Sequence, residues 1–360
     1  MKPLSGLRIL EFDGLGPVTF AGMMLADMGA EVLRLTRAPG AGAAVFEDVG
    51  GEILHRGRAA VPVNLKDPMD QARVLTLISS ADALIEGFRP GVMERLGLGP
   101  DACAERNPRL VYGRITGWGQ SGPKAGEVGH DINYIALSGA LSTFGEPDRP
   151  PRPPLNLVGD YGGGAMMLVT GVLAGLLSAK QTGRGRIVDA AMTDGSSMLM
   201  SLFHALSARG LWTEDRGSNL LDGGAPFYRC YACRDGGFVA VGALEPQFYA
   251  ALLHGLGVPP EEAPQYDRTA WPDLHRRFEA LFATRDRDDW AAAFAGSDAC
   301  VTPVLSLNEA PRHPHNVARA AFLGAKPSHP SPALAFPGAA VEAASPAGPI
   351  SLDDALTLWR

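Results

Sequence analysis

Leu7-Arg-Ile-Leu-Glu-Phe12, Asp13-Gly-Leu-Gly-Pro17, Val18 through Met28 and Glu31-Val-Leu-Arg-Leu35 are consecutive, and together they decide the fold. The first is a compact apolar strand and the second a turn. The third reads as a helix ended by Gly29, and the fourth is another strand, followed by Arg37. A strand–glycine loop–helix–strand unit belongs to a doubly wound α/β sheet. It invites a dinucleotide reading, but the fingerprint is incomplete because Thr19 stands where a third glycine belongs. No acid for a ribose hydroxyl lies near Arg37, and a base there suits a phosphate instead, as on NADP or coenzyme A.

The pattern continues outward. Gly40 to Gly51 reads as a Gly/Ala-rich loop, and Val61–Leu65 as a short strand. Asp67 is placed to cap a helix over Met69–Ser79. Strands follow at Ala83–Glu86 and Leu110–Thr116, then the loop Gly117-Trp-Gly-Gln-Ser-Gly-Pro123. Strands alternating with helices predict a parallel sheet with ligand chemistry at the strand ends. Arg37, Arg56, Arg58 and Arg95 are candidate phosphate binders; the alternative for each is a solvated surface arginine.

The chemistry concentrates between Gly129 and Gly164. Gly129-His-Asp-Ile-Asn-Tyr134 opens this stretch and Gly159-Asp-Tyr-Gly-Gly-Gly164 closes it. His130 and Asp160 are candidate acid/base groups, each just before a run that reads as a helix, with Asp131 a candidate N-cap. A helix start offers unpaired N–H groups to a developing anion, and glycines allow close approach. Such a pair suits proton transfer at a carbon whose deprotonation gives an enolate. Taken singly, a histidine is more often structural and an aspartate before glycines more often a cap.

Pro147 to Pro154 reads as a connection, and Tyr161 to Ala179 as a buried helix rather than a membrane span. Asp194 is expected to cap a helix running through Leu206. Met166, Met167, Met192, Met198 and Met200 are expected in the core, the minority reading being an adaptable fatty-acyl surface. Phe227–Cys233, Arg234-Asp-Gly-Gly237 and Phe238–Val241 form a hairpin. Pro246 opens a helix with Glu245 beside it, two more helices fall around Arg276–Ala283 and Asp288–Phe294, and Cys300–Leu305 is a strand.

The 360 residues, 46% hydrophobic and 20% charged, suffice for two domains. The expected organisation is a large Rossmann-like domain over 1–190, a helical linker over 191–224, a small α+β domain over 225–307 and a return segment over 308–360. A net charge of −7 gives no basic field, so no nucleic-acid partner is expected. No secretory or lipidation signal stands out, and a cytoplasmic location without membrane association is expected. Cys230 and Cys233 make a Cys-x-x-Cys pair with no second pair at zinc spacing, so no metal is expected and all four cysteines read as reduced thiols.

The residues as a set resemble the type III CoA-transferase (CaiB/BaiF-type) superfamily, and within it the branch of α-methylacyl-CoA racemases. The resemblance runs through Leu4-Ser-Gly-Leu-Arg-Ile-Leu-Glu11, Leu25-Ala-Asp-Met-Gly-Ala-Glu-Val32, Glu86-Gly-Phe-Arg-Pro-Gly-Val92 and Thr116-Gly-Trp-Gly-Gln120. It continues through Gly129–Tyr134, Pro154–Gly164, Val188-Asp-Ala-Ala-Met192, Leu244-Glu-Pro-Gln-Phe-Tyr249 and Asp298-Ala-Cys-Val-Thr-Pro-Val304. It implies a Rossmann-like large domain and a smaller α+β lobe in an intertwined, obligate homodimer, with the site between the large domain of one subunit and the small lobe of the other. It implies an isomerase of fatty-acid and lipid metabolism acting on an acyl-CoA thioester without a cofactor, coenzyme A being part of the substrate.

The residues matching the family's catalytic set are His130, Asp160 and Glu245, the last orienting His130. Those matching its CoA contacts are Arg37, Arg58 and Arg95 for phosphates, and Leu65, Gly129 and Tyr134 along the pantetheine. The transferase branch uses the aspartate as a nucleophile and does not typically keep the Gly-His-Asp and Glu-Pro-Gln-Phe elements, which favours the racemase branch. Two departures stand out: Val18-Thr-Phe20 follows Pro17 where a second proline is common, and Asp13 replaces a small residue.

Overall fold

A computed structural model describes residues 1–37, 50–324, 328–334, 336 and 347–360. The loop read between Gly40 and Gly51 lies, but for its last two residues, outside the described residues. The chain divides into two compact units. One comprises Met1–Ala140, Pro153–Ser201 and Pro314–Arg360, the other Leu141–Arg152 and Leu202–His313.

The first unit is a six-stranded sheet in the order β3-β2-β1-β4-β5-β6, parallel throughout. The strands are β1 (Arg8–Phe12), β2 (Glu31–Arg37), β3 (Arg58–Val63), β4 (Ala83–Glu86), β5 (Val111–Thr116) and β6 (Ile187–Ala191). All four residues of β4 and all six of β5 are buried, as a sheet covered on both faces requires. The strand order reverses between β1 and β4. Connections from those two strands therefore leave in opposite directions and open a crevice at their carboxyl ends.

Helix α1 (Pro17–Asp27) covers one face, its start set by proline at the first turn and Gly16 at φ 69° as N-cap. The helix Met166–Thr182 lies on the same core cluster. It comes close because Gly113 faces Leu168 and Val172, and Gly175 faces Val111. Among the described residues Leu157–Thr182 is the one helix long and apolar enough to cross a membrane, and 44% of its most apolar window is buried. The opposite face is closed by Pro68–Ile78, where Asp67 accepts from the Met69 N–H as expected, and by the C-terminal helix Leu352–Leu358. Trp359 is 1% exposed, its indole N–H donating to Glu31.

Several local expectations are corrected. His130, not Asp131, is the N-cap of the helix Asp131–Leu137. Asp194 lies inside the first turn of Met192–Leu199, which Ala191 caps, and a separate helix, Ser201–Ala208, follows. Met192 is buried, but Met166 and Met198 are exposed rather than in the core.

The second unit carries an antiparallel sheet, β7 (Tyr228–Ala232), β8 (Phe238–Gly242) and β9 (Val301–Pro303), in the order β7-β8-β9. Helices Pro246–Leu256, Trp271–Phe282 and Arg287–Ala293 cover one face with a core of Phe227, Tyr231, Val239, Leu252, Phe278 and Trp290. Leu141–Arg152 joins this unit because Arg216 donates to the carbonyls of Ser142, Glu146 and Arg149 at 2.8, 3.1 and 3.0 Å. All four cysteines are unpaired; Cys230 is exposed and Cys233 buried.

Trp359→Ala empties a fully enclosed site and is expected to lower the unfolding free energy by about 3–5 kcal/mol, read from the urea midpoint. A loss below about 1 kcal/mol would mean that the C-terminal helix is not part of the first unit's core.

Candidate active site

At the crevice where the strand order reverses, the first unit holds a cavity of about 370 Å³. Leu15, Pro17 and Val18 line it from the β1 side, Gly87 to Pro90 from the end of β4, and Thr116 to Trp118 from the end of β5. The β4 loop is held from below. Glu86, fully buried, accepts from the Phe88 N–H (2.7 Å) and from Arg114 Nε (2.8 Å), and Arg114 also reaches Glu94 (2.8 Å). Burial pushes the Glu86 carboxyl up while the Phe88 N–H and Arg114 oppose the shift.

Gly129 and Tyr134, expected along the pantetheine, do line this cavity. The Tyr134 ring meets Trp118 edge-on at 4.8 Å and its hydroxyl donates to the Gly129 carbonyl. Position 117 must be glycine, because a Cβ there would overlap the Tyr134 ring. Leu65 is elsewhere, packed against the cluster around Leu33, Val63 and Leu77.

His130 is exposed at the N-cap of its helix, and its backbone N–H donates to Asn133 Oδ1 at 3.0 Å. Asp160 lies not before a helix but inside one. Leu157–Ala165 is a π-helix with Asn156 as its N-cap, so the N–H groups following Asp160 are spent within it. That corrects the expectation of a free helix start beyond Asp160. The helix start that does meet Asp160 is that of α1: a Cβ on Gly16 would come 3.1 Å from Asp160 Oδ2.

Asp131 joins the two candidate groups. Its Oδ1 accepts the Asp160 N–H at 2.7 Å, and its carboxylate also meets the Gly159 N–H. Burial holds the Asp160 carboxyl above the usual range; the Asn156 side chain, donating at 3.2 Å, pulls the other way, Asp131 adds to the rise and His130 opposes it. Burial likewise raises Asp131. Burial disfavours the charged form of Asp160 and so favours proton uptake there, and such a carboxyl near an exposed imidazole suits an acid/base exchange in which either group gives or takes the proton.

The expected phosphate-binding arginines divide. Arg58 is buried and committed to Glu11 and the Leu54 carbonyl, and Arg56 is buried against Asp27 at 2.5 Å; neither can reach a ligand phosphate. Arg37 and Arg95 are exposed at the ends of β2 and of the short helix Val92–Arg95. Arg89, not singled out from the sequence, lines the cavity. Asp13 accepts from Arg34 at 3.0 Å, which accounts for one of the two departures. Glu245 belongs to the second unit, exposed at the N-cap of Pro246–Leu256, where its carbonyl accepts the Tyr249 N–H at 2.9 Å and its side chain makes no capping bond. Burial first, and then the Glu245 charge, raises the Cys300 thiol, placing these two side chains near each other.

Asn156 and Arg89 escaped the sequence reading, and Asp131 was read only as a helix cap. Asp131 carried one signal, its place directly after His130, but its partner is 29 positions away.

The fold is that of a doubly wound α/β protein, in which Asp131 links the candidate aspartate to the helix start that carries the candidate histidine. The model for CoA-transferase family III matches residues 4–350, and the chain belongs to that family. It is 44% identical over 330 residues to the alpha-methylacyl-CoA racemase of Mus musculus, covering 91% of this chain and 84% of that one. It is 43% identical to the Homo sapiens protein of the same name, covering 91% and 85%. A CAIB/BAIF family protein from Brucella suis shares the fold, with a TM-score of 0.81 at 22% identity over 99% of this chain and 98% of that one.

Asp131→Ala removes the acceptor for two backbone N–H groups. It is expected to cost about 1–3 kcal/mol of stability and to speed hydrogen exchange at the Asp160 amide. Unchanged exchange there would mean that Asp131 does not hold the segment.

Proposed function

We propose that this chain interconverts the (2R) and (2S) epimers of 2-methylacyl-CoA thioesters by 1,1-proton transfer through an enolate. The observation that carries this reading is the link from Asp131 to the Asp160 backbone, which ties an aspartic acid of raised pKa to the helix start bearing His130. The 44% identity to a racemase supports it over the transferase alternative, in which Asp160 would be an acylated nucleophile.

In the proposed reaction one group takes the α-proton and the other returns a proton to the opposite face, inverting the centre. Their starting protonation states exchange with direction. The thioester carbonyl is the electron sink, so the chemistry calls for no metal or redox cofactor. The first-turn N–H groups of α1, beside Gly16, are proposed to meet the enolate oxygen; one such donor is worth about 3–4 kcal/mol in the transition state. Arg37, Arg89 and Arg95 are proposed to receive the phosphates of coenzyme A, and Gly129 and Tyr134 the pantetheine. We further propose an obligate homodimer in which Glu245 of one copy supports His130 of the other.

Incubation in heavy water with one epimer of a 2-methylacyl-CoA is expected to place deuterium at the α-carbon while the epimers converge. Transfer of CoA to an added carboxylic acid, without deuterium uptake, would move the assignment to the transferase branch. His130→Ala is expected to slow exchange from one epimer more than from the other, and Asp160→Ala to show the opposite bias. Equal loss from both epimers in each variant would sink the two-base scheme.

Mixing tests the shared site. His130→Ala and Glu245→Ala dimers, each impaired, are expected to regain activity when their subunits are exchanged, because one site of each mixed dimer is then intact. No recovery after verified exchange would place both residues of a site in one chain.

A further inference from the structure

Phe20 is one turn into α1, its N–H donating to the Gly16 carbonyl at 3.2 Å. Tyr161 directly follows Asp160. The two rings stack with centroids 4.2 Å apart and planes inclined by 13°. The start of α1 and the π-helix therefore meet twice, Gly16 against the Asp160 carboxylate and Phe20 against Tyr161. Both aromatic residues are half-buried, so ring surface remains uncovered beside the carboxyl group. Phe20 ends Val18-Thr-Phe20, the stretch that departs from the pattern after Pro17, and its ring partner lies one residue from the acid/base candidate.

We propose that the Phe20–Tyr161 stack is the selectivity wall of the acyl site and a positioning element for Asp160, favouring apolar acyl groups over those that carry a carboxylate. The inference rests on the racemase reading. Stacked rings hold their two backbones in register at the point where Asp160 must face the α-carbon. Their uncovered surface gains by packing an apolar substituent, whereas an acyl carboxylate brought there loses its water without a partner. The groups that act on or lie against the Asp160 carboxyl are Asn156 from its own π-helix, His130, Asp131 and Tyr134 from the neighbouring helix and its start, and Gly16 from α1. Burial is the leading cause of the rise in the Asp160 pKa, and the stack is proposed to contribute to that exclusion of water.

The test uses the full-length wild type, Phe20→Ala and Phe20→Tyr, the last keeping a ring. Deuterium exchange is measured on a branched-alkyl 2-methylacyl-CoA and on an analogue with a terminal carboxylate. Phe20→Ala is expected to lose about three- to tenfold in its kcat/KM preference for the apolar thioester, mostly through KM, and Phe20→Tyr to keep it. A second readout needs no turnover: carboxyl carbon NMR of labelled aspartate, with the Asp160 signal assigned by its absence in Asp160→Asn. Its titration is expected to move to lower pH in Phe20→Ala and to stay in place in Phe20→Tyr. A wild type that exchanges no α-proton on either thioester would remove the racemase reading and the selectivity with it, leaving the titration to decide the positioning role. An active wild type with a Phe20→Ala variant of unchanged preference and unchanged titration would overturn the proposal alone.

Discussion

The hydrogen bond from the Asp160 N–H to Asp131 Oδ1, 2.7 Å long, is the constraint on which the site depends. It crosses 29 residues and, with the Gly159 N–H on the same carboxylate, fixes a helix start against a π-helix. A buried carboxylate is costly unless it is bonded; two backbone N–H groups offset part of that cost for Asp131, whose Oδ2 is buried without a partner. One consequence reaches Asp160 itself, because the nearby charge adds to the rise that burial has already produced in its carboxyl. A single acceptor thus contributes to both the geometry and the protonation state of its neighbour.

The same economy governs the crevice. Opposite departures from β1 and β4 leave space at their carboxyl ends, and the loops around that space need rigid support. Buried arginine–carboxylate pairs provide it: Arg114 spans Glu86 and Glu94, and Phe88 hangs from Glu86. Arg58 and Glu11 form a second buried pair beneath α1, where Gly22 leaves room for them, since a Cβ there would overlap both. Breaking such a pair by removing one member would strand a charge in a dry interior. These arginines therefore belong to the scaffold, in contrast to Arg89 at the cavity wall.

Much of this was legible in the residues. The first strand–loop–helix–strand unit announced the doubly wound sheet because hydrophobic periodicity and glycine placement are local properties. The cap at Asp67, the hairpin around Gly237 and the proline opening at Pro246 were legible for the same reason. His130 and Asp160 stood out as candidate proton carriers next to helical runs. The helix-cap roles of Asp131 and Asp194 were misread, because a short acidic side chain near a helix start has the same local pattern whether it caps that helix or bonds a distant segment. The exposure of Met166 and Met198 had no local signal either: a methionine periodicity marks a face of a helix, not what covers it.

The sequence by itself determined the order of strands and helices, the membership of the family and the residue types available for proton transfer, since these follow from periodicity, turn chemistry and motif. The tertiary structure decided which arginines are scaffold and which face the cavity, and that Asp160 lies within a π-helix against the start of α1. It also decided that Asp131 joins Asp160 and that Phe20 stacks on Tyr161. Each of those facts depends on what lies across a gap of many residues. The desolvation, charge and ring contacts that tune a side chain come from such neighbours, and no local pattern encodes them.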